Sequence, residues 1–192
     1  GHDWGASATY GAAVHAPDRW RRVVTAAVPP SATLGQGFLT FPQLKRSWYM
    51  FFFQHFLAEV AVPADDFAFI DGLWRDWSPG YDGGEDAARV KEALRDPANL
   101  TAAIGYYRAM FDPTRQVPEL TDEQIATTGI PPQPTLYLHG TDDGCLGAEL
   151  AAGAGDHLSP GSRVEMIEGA GHFLQLEKPA EVNRLIVDWV TA

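Results

Sequence analysis

The sequence predicts an α/β fold, in which helices flank a parallel β-sheet and a helical segment is inserted between its strands. Residues 1–30 and 130–192 alternate helical patterns with short apolar runs bounded by Gly and Pro. The intervening residues 31–129 have no clear strand and are rich in Trp, Tyr and Phe. We therefore predict a core formed by 1–30 and 130–192 and a helical cap formed by 31–129.

The two core segments carry the pattern of a parallel sheet. Small residues from Ala6 to Val14 predict a tightly packed helix that stops at Pro17. Pro179 suits the first position of a last helix, in which four apolar residues share one face. The predicted strands are Arg22–Val28, Thr135–Gly140 and Arg163–Ile167, and a short helix is predicted at Leu146–Gly153.

The helical cap is predicted from three stretches with helical character. They are Phe41–Val60, Gly84–Leu94 and Asn99–Met110. Because this block is flanked by α/β segments on both sides, it is typical of an inserted lid rather than of a separate domain.

Charge and composition exclude some classes of partner. The 192 residues include 14 Lys and Arg against 25 Asp and Glu, a net charge of −11, so neither nucleic acid nor an anionic membrane surface is expected to bind. No apolar run is long enough to span a bilayer, and no signal peptide is visible. Cys145 is the single cysteine, which excludes an intrachain disulfide and fits a reducing, cytoplasmic location.

The sequence carries no pattern for a cofactor or a metal. The glycines of residues 153–155 lack the preceding strand that a dinucleotide-binding fingerprint requires. His15, His55 and His157 have no metal-ligand spacing. We therefore expect chemistry that uses neither a cofactor nor a metal.

Ionisable residues lie where an α/β sheet presents its functional groups. Asp3 lies in the opening turn, in GHDWGA; Asp142 and Asp143 follow one strand, in LHGTDDGC; and His172 follows another, in GAGHFLQLEKP. The carboxyl ends of parallel strands lie at one edge of the sheet. Gly-x-Asp-x-Gly is the pattern of a nucleophile elbow, a sharp turn in which glycines tolerate the crowding. We therefore expect these residues to form one site.

The three segments, in the order nucleophile, acid and histidine, resemble the catalytic segments of the α/β-hydrolase fold family, in its aspartate-nucleophile branch. The resemblance extends over the whole chain. That branch includes epoxide hydrolases and haloalkane or haloacetate dehalogenases. The resemblance implies an α/β-hydrolase core with a cap and, as the expected activity, hydrolysis of an epoxide to a vicinal diol.

The resemblance also implies a role for each residue. Asp3 would attack an sp³ carbon and leave an ester whose carbonyl belongs to the enzyme. His172 would activate the water that opens this ester. The family pattern Gly-x-x-Asp favours Asp143 over Asp142 as the residue that orients His172. The backbone N–H of Trp4 is expected to form half of an oxyanion hole.

The cap distinguishes between the two chemistries. Epoxide hydrolases of this family use two cap tyrosines as the acid, and the resemblance places them at Tyr49 and Tyr107, with Tyr106 as a rival. A phenol with a pKa of about 10 stays protonated at neutral pH and donates to a developing alkoxide. A dehalogenase would instead hold the halide with Trp4 and a second tryptophan or asparagine. The tryptophans that keep this alternative open are Trp48, Trp74 and Trp77.

Part of the family pattern is absent from the sequence. The strands that precede the elbow, and a His-Gly-x-Pro loop with the second oxyanion donor, have no counterpart. We therefore expect a C-terminal portion of a longer enzyme, which needs the N-terminal portion of the core as its partner and is unstable or inactive alone. Its other expected partners are a small hydrophobic epoxide and water, with a homodimer left open. The alternative to an enzyme is a non-catalytic protein of the same fold that binds a ligand.

Overall fold

The computed structural model describes residues 1–192 and contains a three-stranded parallel sheet in the order β1-β2-β3. The strands are β1 (Val23–Ala26), β2 (Thr135–Gly140) and β3 (Arg163–Ile167). The central strand β2 is buried along its whole length and pairs Leu138 with Ala26 on one side and with Glu165 on the other. The predicted parallel sheet is therefore confirmed, with β2 and β3 at their predicted bounds.

Eleven α-helices accompany the sheet, and eight of them lie in the chain between β1 and β2. None of these helices combines the length and the apolar character needed to cross a membrane. In chain order the helices are α1 (Trp4–His15), α2 (Ser31–Gly37), α3 (Phe41–Arg46), α4 (Trp48–Phe52), α5 (Ala58–Ala61), α6 (Ala64–Trp77), α7 (Gly84–Leu94), α8 (Pro97–Phe111), α9 (Thr121–Ala126), α10 (Leu174–Glu177) and α11 (Pro179–Thr191).

Helices cover both faces of the sheet. On one face, the hydroxyl of Tyr10 in α1 forms a 2.8 Å hydrogen bond with the hydroxyl of Thr25 in β1. On the other face, the strand residues Leu136 and Leu138 belong to the same buried cluster as Val182 and Leu185 of α11. Successive strand residues point to opposite faces, so this alternation gives the layered α/β architecture that the sequence predicts.

The helices between β1 and β2 pack directly on the core. A single buried cluster contains Tyr10 of α1 and Val28 after β1 together with Tyr49, Phe53 and Ile104 of the helical block. The hydrophobic side chains of both parts therefore leave water together, and the block covers the end of the sheet at which β1 and β2 finish.

Two predicted helices differ from the structure. Phe41–Val60 forms three short helices, because Ser47 and residues 53–57 interrupt the helical path. At the first break the buried amide of Gln43 donates to the Ser47 hydroxyl at 2.8 Å. The second predicted helix, Leu146–Gly153, forms only a 3₁₀ turn at Ala148–Ala151. In addition, the structure contains the 14-residue helix α6, which the sequence did not predict.

Leu146–Gly153 does not form an α-helix because side chains already bond to the backbone groups that a helix would use. The carbonyl of Leu146 accepts a hydrogen bond from His139 at 3.0 Å, and the amide of Gly147 donates to Gln43 at 3.1 Å. Backbone groups already satisfied in this way gain nothing from an α-helical turn.

Candidate active site

Asp3 lies in a strained turn that leads from His2, which pairs alongside β1, into α1. His2 forms a parallel bridge with Ala26, and the backbone of Asp3 has φ 53° and ψ −125°. A Cβ atom on Gly1 would lie 2.1 Å from the carbonyl oxygen of Gly5, so the turn requires glycine at position 1. A Cβ atom on Gly5 would meet nothing within 4 Å. Crowding therefore explains the first glycine of the elbow and not the second.

The structure brings Asp3, Asp143 and His172 together. The Nδ1 atom of His172 donates to Oδ2 of Asp143 at 3.0 Å, and its Nε2 atom lies 3.3 Å from Oδ1 of Asp3. The other oxygen of Asp143 accepts from the amides of Cys145 and Leu146 at 2.8 and 2.9 Å. Every oxygen of the Asp143 carboxylate thus has a partner, and its orientation toward the imidazole is fixed.

Asp142, the alternative to Asp143, is exposed and has no contact with His172. Its amide donates to the carbonyl of Ala170 at 2.9 Å, which joins the two loops that follow β2 and β3. The sequence pattern pointed to the aspartate that faces the imidazole, although only the fold separates the two neighbours in space.

Opposite charges hold the site in a defined protonation state. Burial alone would lower the pKa of the His172 imidazole, but the charges of Asp143 and Asp3 and their hydrogen bonds raise it to about 10. Burial alone would raise the pKa of Asp3, but the hydrogen bond and charge of His172 and the Trp4 amide lower it. At neutral pH the site therefore holds an ionised Asp3 beside a protonated His172.

The helical block anchors the two loops that carry Asp143 and His172. The carbonyl of Trp77, at the end of α6, accepts from the amides of Gly144 and His172, both at 3.0 Å. The hydroxyl of Ser78 accepts from the amide of Phe173 at 3.1 Å. No local pattern in the sequence indicates these anchors, because they join segments about 70 to 95 residues apart.

Two further histidines support the site from behind. His2 donates from Nε2 to the carbonyl of His172 at 2.8 Å. His139 is fully buried, accepts from the hydroxyl of Tyr137 at 2.6 Å and donates to the carbonyl of Leu146 at 3.0 Å. Burial is the leading cause that lowers the pKa of both His2 and His139, so both are neutral at pH 7.

A small cavity of about 70 Å³ opens over Asp3, and most of its lining is apolar. Both predicted tyrosines, Tyr49 and Tyr107, line it. Tyr106 does not, since its side chain points outward and is 63% exposed. The remaining lining residues are Trp4, Ser7, Val28, Leu34, Phe38, Met50, Met110, Cys145 and Leu146.

Tyr49 is buried and Tyr107 is half-buried, and both line the cavity together with Asp3. Their rings meet edge to face with centroids 5.6 Å apart, and the Tyr49 hydroxyl lies 3.4 Å from Sγ of Cys145. Burial and the nearby charge of Asp3 raise the pKa of Tyr107, and burial is also the leading cause that raises the pKa of Tyr49. Both phenols are therefore protonated at neutral pH and can donate.

The amide of Trp4 donates to Oδ2 of Asp3 at 2.6 Å. This contact is the geometry expected of an oxyanion donor, with Oδ1 left as the freer oxygen of the carboxylate. Trp77 packs against both His172 and Tyr49 without lining the cavity, Trp74 stacks on Phe173, and Trp48 packs against Phe52 and Phe69. Trp4 is the one tryptophan that lines the cavity over Asp3.

A larger cavity of about 400 Å³ has Lys45, Arg46, Trp48 and Trp77 in its lining. It contains neither the aspartates nor the histidine described above. We assign the site to the smaller cavity because charged and hydrogen-bonding groups converge there.

The fold and the arrangement of these residues are those of the α/β-hydrolase fold. A family model described as the alpha/beta hydrolase family matches residues 1–185, and the chain belongs to that family.

The chain is similar to several proteins that are named epoxide hydrolases. Epoxide hydrolase 1 of Caenorhabditis elegans is 29% identical over 96% of this chain and 45% of its own length. Epoxide hydrolase 3 of Mus musculus is 30% identical over 95% and 48%. An epoxide hydrolase structure from Bacillus megaterium in complex with an inhibitor superposes with a TM-score of 0.76, at 22% identity, over all of this chain and 68% of its own. The chain spans about half the length of these two curated relatives.

Proposed function

We propose that the protein hydrolyses a small hydrophobic epoxide to a vicinal diol through an ester on Asp3. The observation that carries this proposal is the pair of protonated tyrosines, the buried Tyr49 and the half-buried Tyr107, in the same small cavity as an ionised carboxylate. Opening an epoxide requires a nucleophile on the carbon and an acid on the oxygen at the same time. The names of the curated relatives support the same activity.

In the first step, Oδ1 of Asp3 attacks one carbon of the epoxide, and the bond from that carbon to the ring oxygen breaks. The oxygen leaves as an alkoxide and takes a proton from Tyr49 or Tyr107. The product is an ester that carries the whole epoxide. Apolar lining residues such as Leu34 and Met50 exclude water from this step and suit a hydrophobic substrate.

In the second step, a water molecule gives a proton to Nε2 of His172 and attacks the carbonyl carbon of the Asp3 ester. Oδ2 becomes the oxyanion, and the Trp4 amide already lies 2.6 Å from that atom. As the intermediate collapses, the bond from the carbonyl carbon to the substrate oxygen breaks and that oxygen takes the proton from Nε2 of His172, which releases the diol. The Asp3 carboxyl group then returns its remaining proton to His172, so the carboxylate and the imidazolium are both regenerated. Asp143 orients the imidazole and stabilises its cation throughout.

A dehalogenase with the same Asp3 nucleophile is the second candidate, and the cavity favours it less. A halide is held by weak N–H donors, and Trp4 is the one tryptophan in the lining, whereas two tyrosine hydroxyls are available for an alkoxide. As proposed, the reaction needs water and no cofactor. The helical block between β1 and β2 acts as its cap, and the reducing cytoplasm remains the predicted location.

The test is to trap the ester in the whole protein. The variant His172→Gln lacks the base and should accumulate the covalent intermediate during exposure to separate panels of epoxides and haloalkanes. Intact-mass spectrometry should find an adduct equal to the full mass of the epoxide, and peptide mapping should place it on Asp3. The double variant with Asp3→Asn is the matched control and should gain no mass.

The outcomes are distinct. An adduct equal to the haloalkane minus hydrogen halide, with none from the epoxides, would move the assignment to a dehalogenase. Ligand binding without any adduct and without turnover would support the non-catalytic member of the fold. An adduct on a residue other than Asp3 would refute the proposed nucleophile.

A further inference from the structure

Three metal-ligating side chains converge at the candidate site, and two of them, Asp3 and Cys145, line the cavity. A carboxylate oxygen of Asp3, Sγ of Cys145 and an imidazole nitrogen of His172 all lie within 4.8 Å of one another. Sequence spacing could not have identified this set, because its members are separated by 142 and 27 positions in the chain (145 − 3 and 172 − 145). The three residues offer one oxygen, one sulfur and one nitrogen ligand.

The spacing suits a tetrahedral cation. Bonds from zinc to nitrogen and oxygen of about 2.0–2.1 Å place two ligand atoms at the corners of a tetrahedron about 3.3 Å apart. Oδ1 of Asp3 and Nε2 of His172 are 3.3 Å apart. Sγ of Cys145 lies within 4.8 Å of an oxygen of Asp3 and a nitrogen of His172, and an inward movement of Sγ would complete three corners.

The surroundings of the imidazole also match those of a metal ligand. Asp143 accepts from Nδ1 at 3.0 Å, which leaves Nε2 as the nitrogen that faces Asp3, at 3.3 Å from Oδ1. A carboxylate that holds the far nitrogen of a histidine in this way orients the ring and strengthens its bond to a metal. The thiol selects soft or borderline cations over Mg²⁺ and Ca²⁺.

We propose that Asp3, Cys145 and His172 form a binding site for a thiophilic divalent cation, Zn²⁺ or Cd²⁺, and that its occupation blocks the reaction. The thiol proton and the proton on Nε2 leave to solvent as sulfur and nitrogen bind the cation. The bound cation then occupies both the carboxylate and the imidazole that the reaction needs. This inference goes beyond the proposed function and depends only on the geometry of the three side chains.

The test is a titration of the purified protein with Cd²⁺, followed by the absorbance of the thiolate-to-metal charge-transfer band in the ultraviolet. Cys145 is the single cysteine of these 192 residues, and loss of the band in Cys145→Ser would assign the band to this site. We expect saturation at one cation per chain, and no band with Mg²⁺. The matched control, Cys145→Ser, should lack the band and bind Cd²⁺ at least about 10-fold more weakly.

A second variant tests the support of the imidazole. Asp143→Asn should keep the band at saturation and weaken binding by about 10–100-fold, as expected when a group behind a ligand is lost. Circular dichroism checks that each variant is folded. Absence of the band in the parent protein, or equal Cd²⁺ affinity in Cys145→Ser, would overturn the proposal. Both readouts are independent of epoxide turnover, so a failure here is distinguishable from a failure of the proposed function.

Discussion

The substitution Tyr107→Phe isolates the proposed acid from the packing around it. The ring of Tyr107 contacts those of Trp4, Tyr49 and Phe53, with centroid distances of 5.5, 5.6 and 5.0 Å. Phenylalanine keeps all three contacts and removes only the hydroxyl. The substitution should therefore leave the fold intact and act on the alkoxide alone.

The magnitude follows from the charge that develops on the epoxide oxygen. Loss of one preorganised donor to a developing oxyanion costs about 2.7–4 kcal/mol, or roughly 100- to 1000-fold in rate. Because Tyr49 lines the same cavity and still donates, Tyr107→Phe should lie near the lower end, at about 100-fold. The double variant with Tyr49→Phe should reach the upper end of that range or pass it.

The assay is the rate at which the Asp3 ester forms, measured by rapid quench and intact mass at saturating epoxide. Tyr106→Phe is the matched control, since its side chain is 63% exposed and outside the cavity, and its rate should stay within about twofold of the parent. If the double variant formed the ester as fast as Tyr106→Phe, the phenols would not be the acid and the epoxide assignment would lose its main support.

Three further predictions concern the elbow, the buried histidines and pH. Gly1→Ala should slow ester formation about 100-fold, because its Cβ would lie 2.1 Å from the Gly5 carbonyl, whereas Gly5→Ala should stay near the parent rate in the same assay. Tyr137→Phe leaves the buried Nδ1 of His139 without its 2.6 Å donor and should lower the free energy of unfolding in urea by about 1–3 kcal/mol; a loss under about 0.5 kcal/mol would contradict the network. The folded pKa of His172, about 10, exceeds its ordinary value of 6.5, so its stabilising contribution is complete below about pH 6.5 and should be lost progressively as pH rises to 10. The free energy of unfolding, measured across that range, should decline by a few kcal/mol. A free energy that does not change with pH would refute the ion pair.

Periodicity and turn residues predicted the elements whose burial pattern is local. Strands β2 and β3 and helices α7 and α11 have the predicted bounds or starts, because apolar residues on one face and terminal prolines or glycines carry that information in a few residues. Phe41–Val60 failed as one helix because Gln43 is buried against Ser47 and the loop after β2, contacts that no local pattern encodes.

In the candidate site, too, the sequence predicts some of the residues, and the packing of the fold determines the others. Asp3, Asp143 and His172 could be predicted, because a sheet presents residues at strand ends and the three segments resemble a known family. The Trp77 carbonyl and the Cys145 thiol could not, because their positions depend on how α6 and the loop after β2 pack in space. A sequence records which residues follow a strand, and only the packed fold determines what lies beside them.

The protonation state of the resting site accounts for both halves of the proposed reaction. Before reaction the imidazolium of His172 stabilises the ionised Asp3 carboxylate, and Asp3 in turn contributes to the raised pKa of His172. Ester formation removes the charge on Asp3, so the pKa of His172 falls and the imidazole can release its proton. In the same step a tyrosine gives its proton to the alkoxide, and the resulting phenolate needs a proton to return to its resting state. The imidazolium therefore holds, before the substrate binds, the proton that ring opening needs, and its release leaves a neutral imidazole ready to accept the proton of the attacking water. The same residue serves as a cation in the first step and as a base in the second because the charge of the nucleophile changes between them.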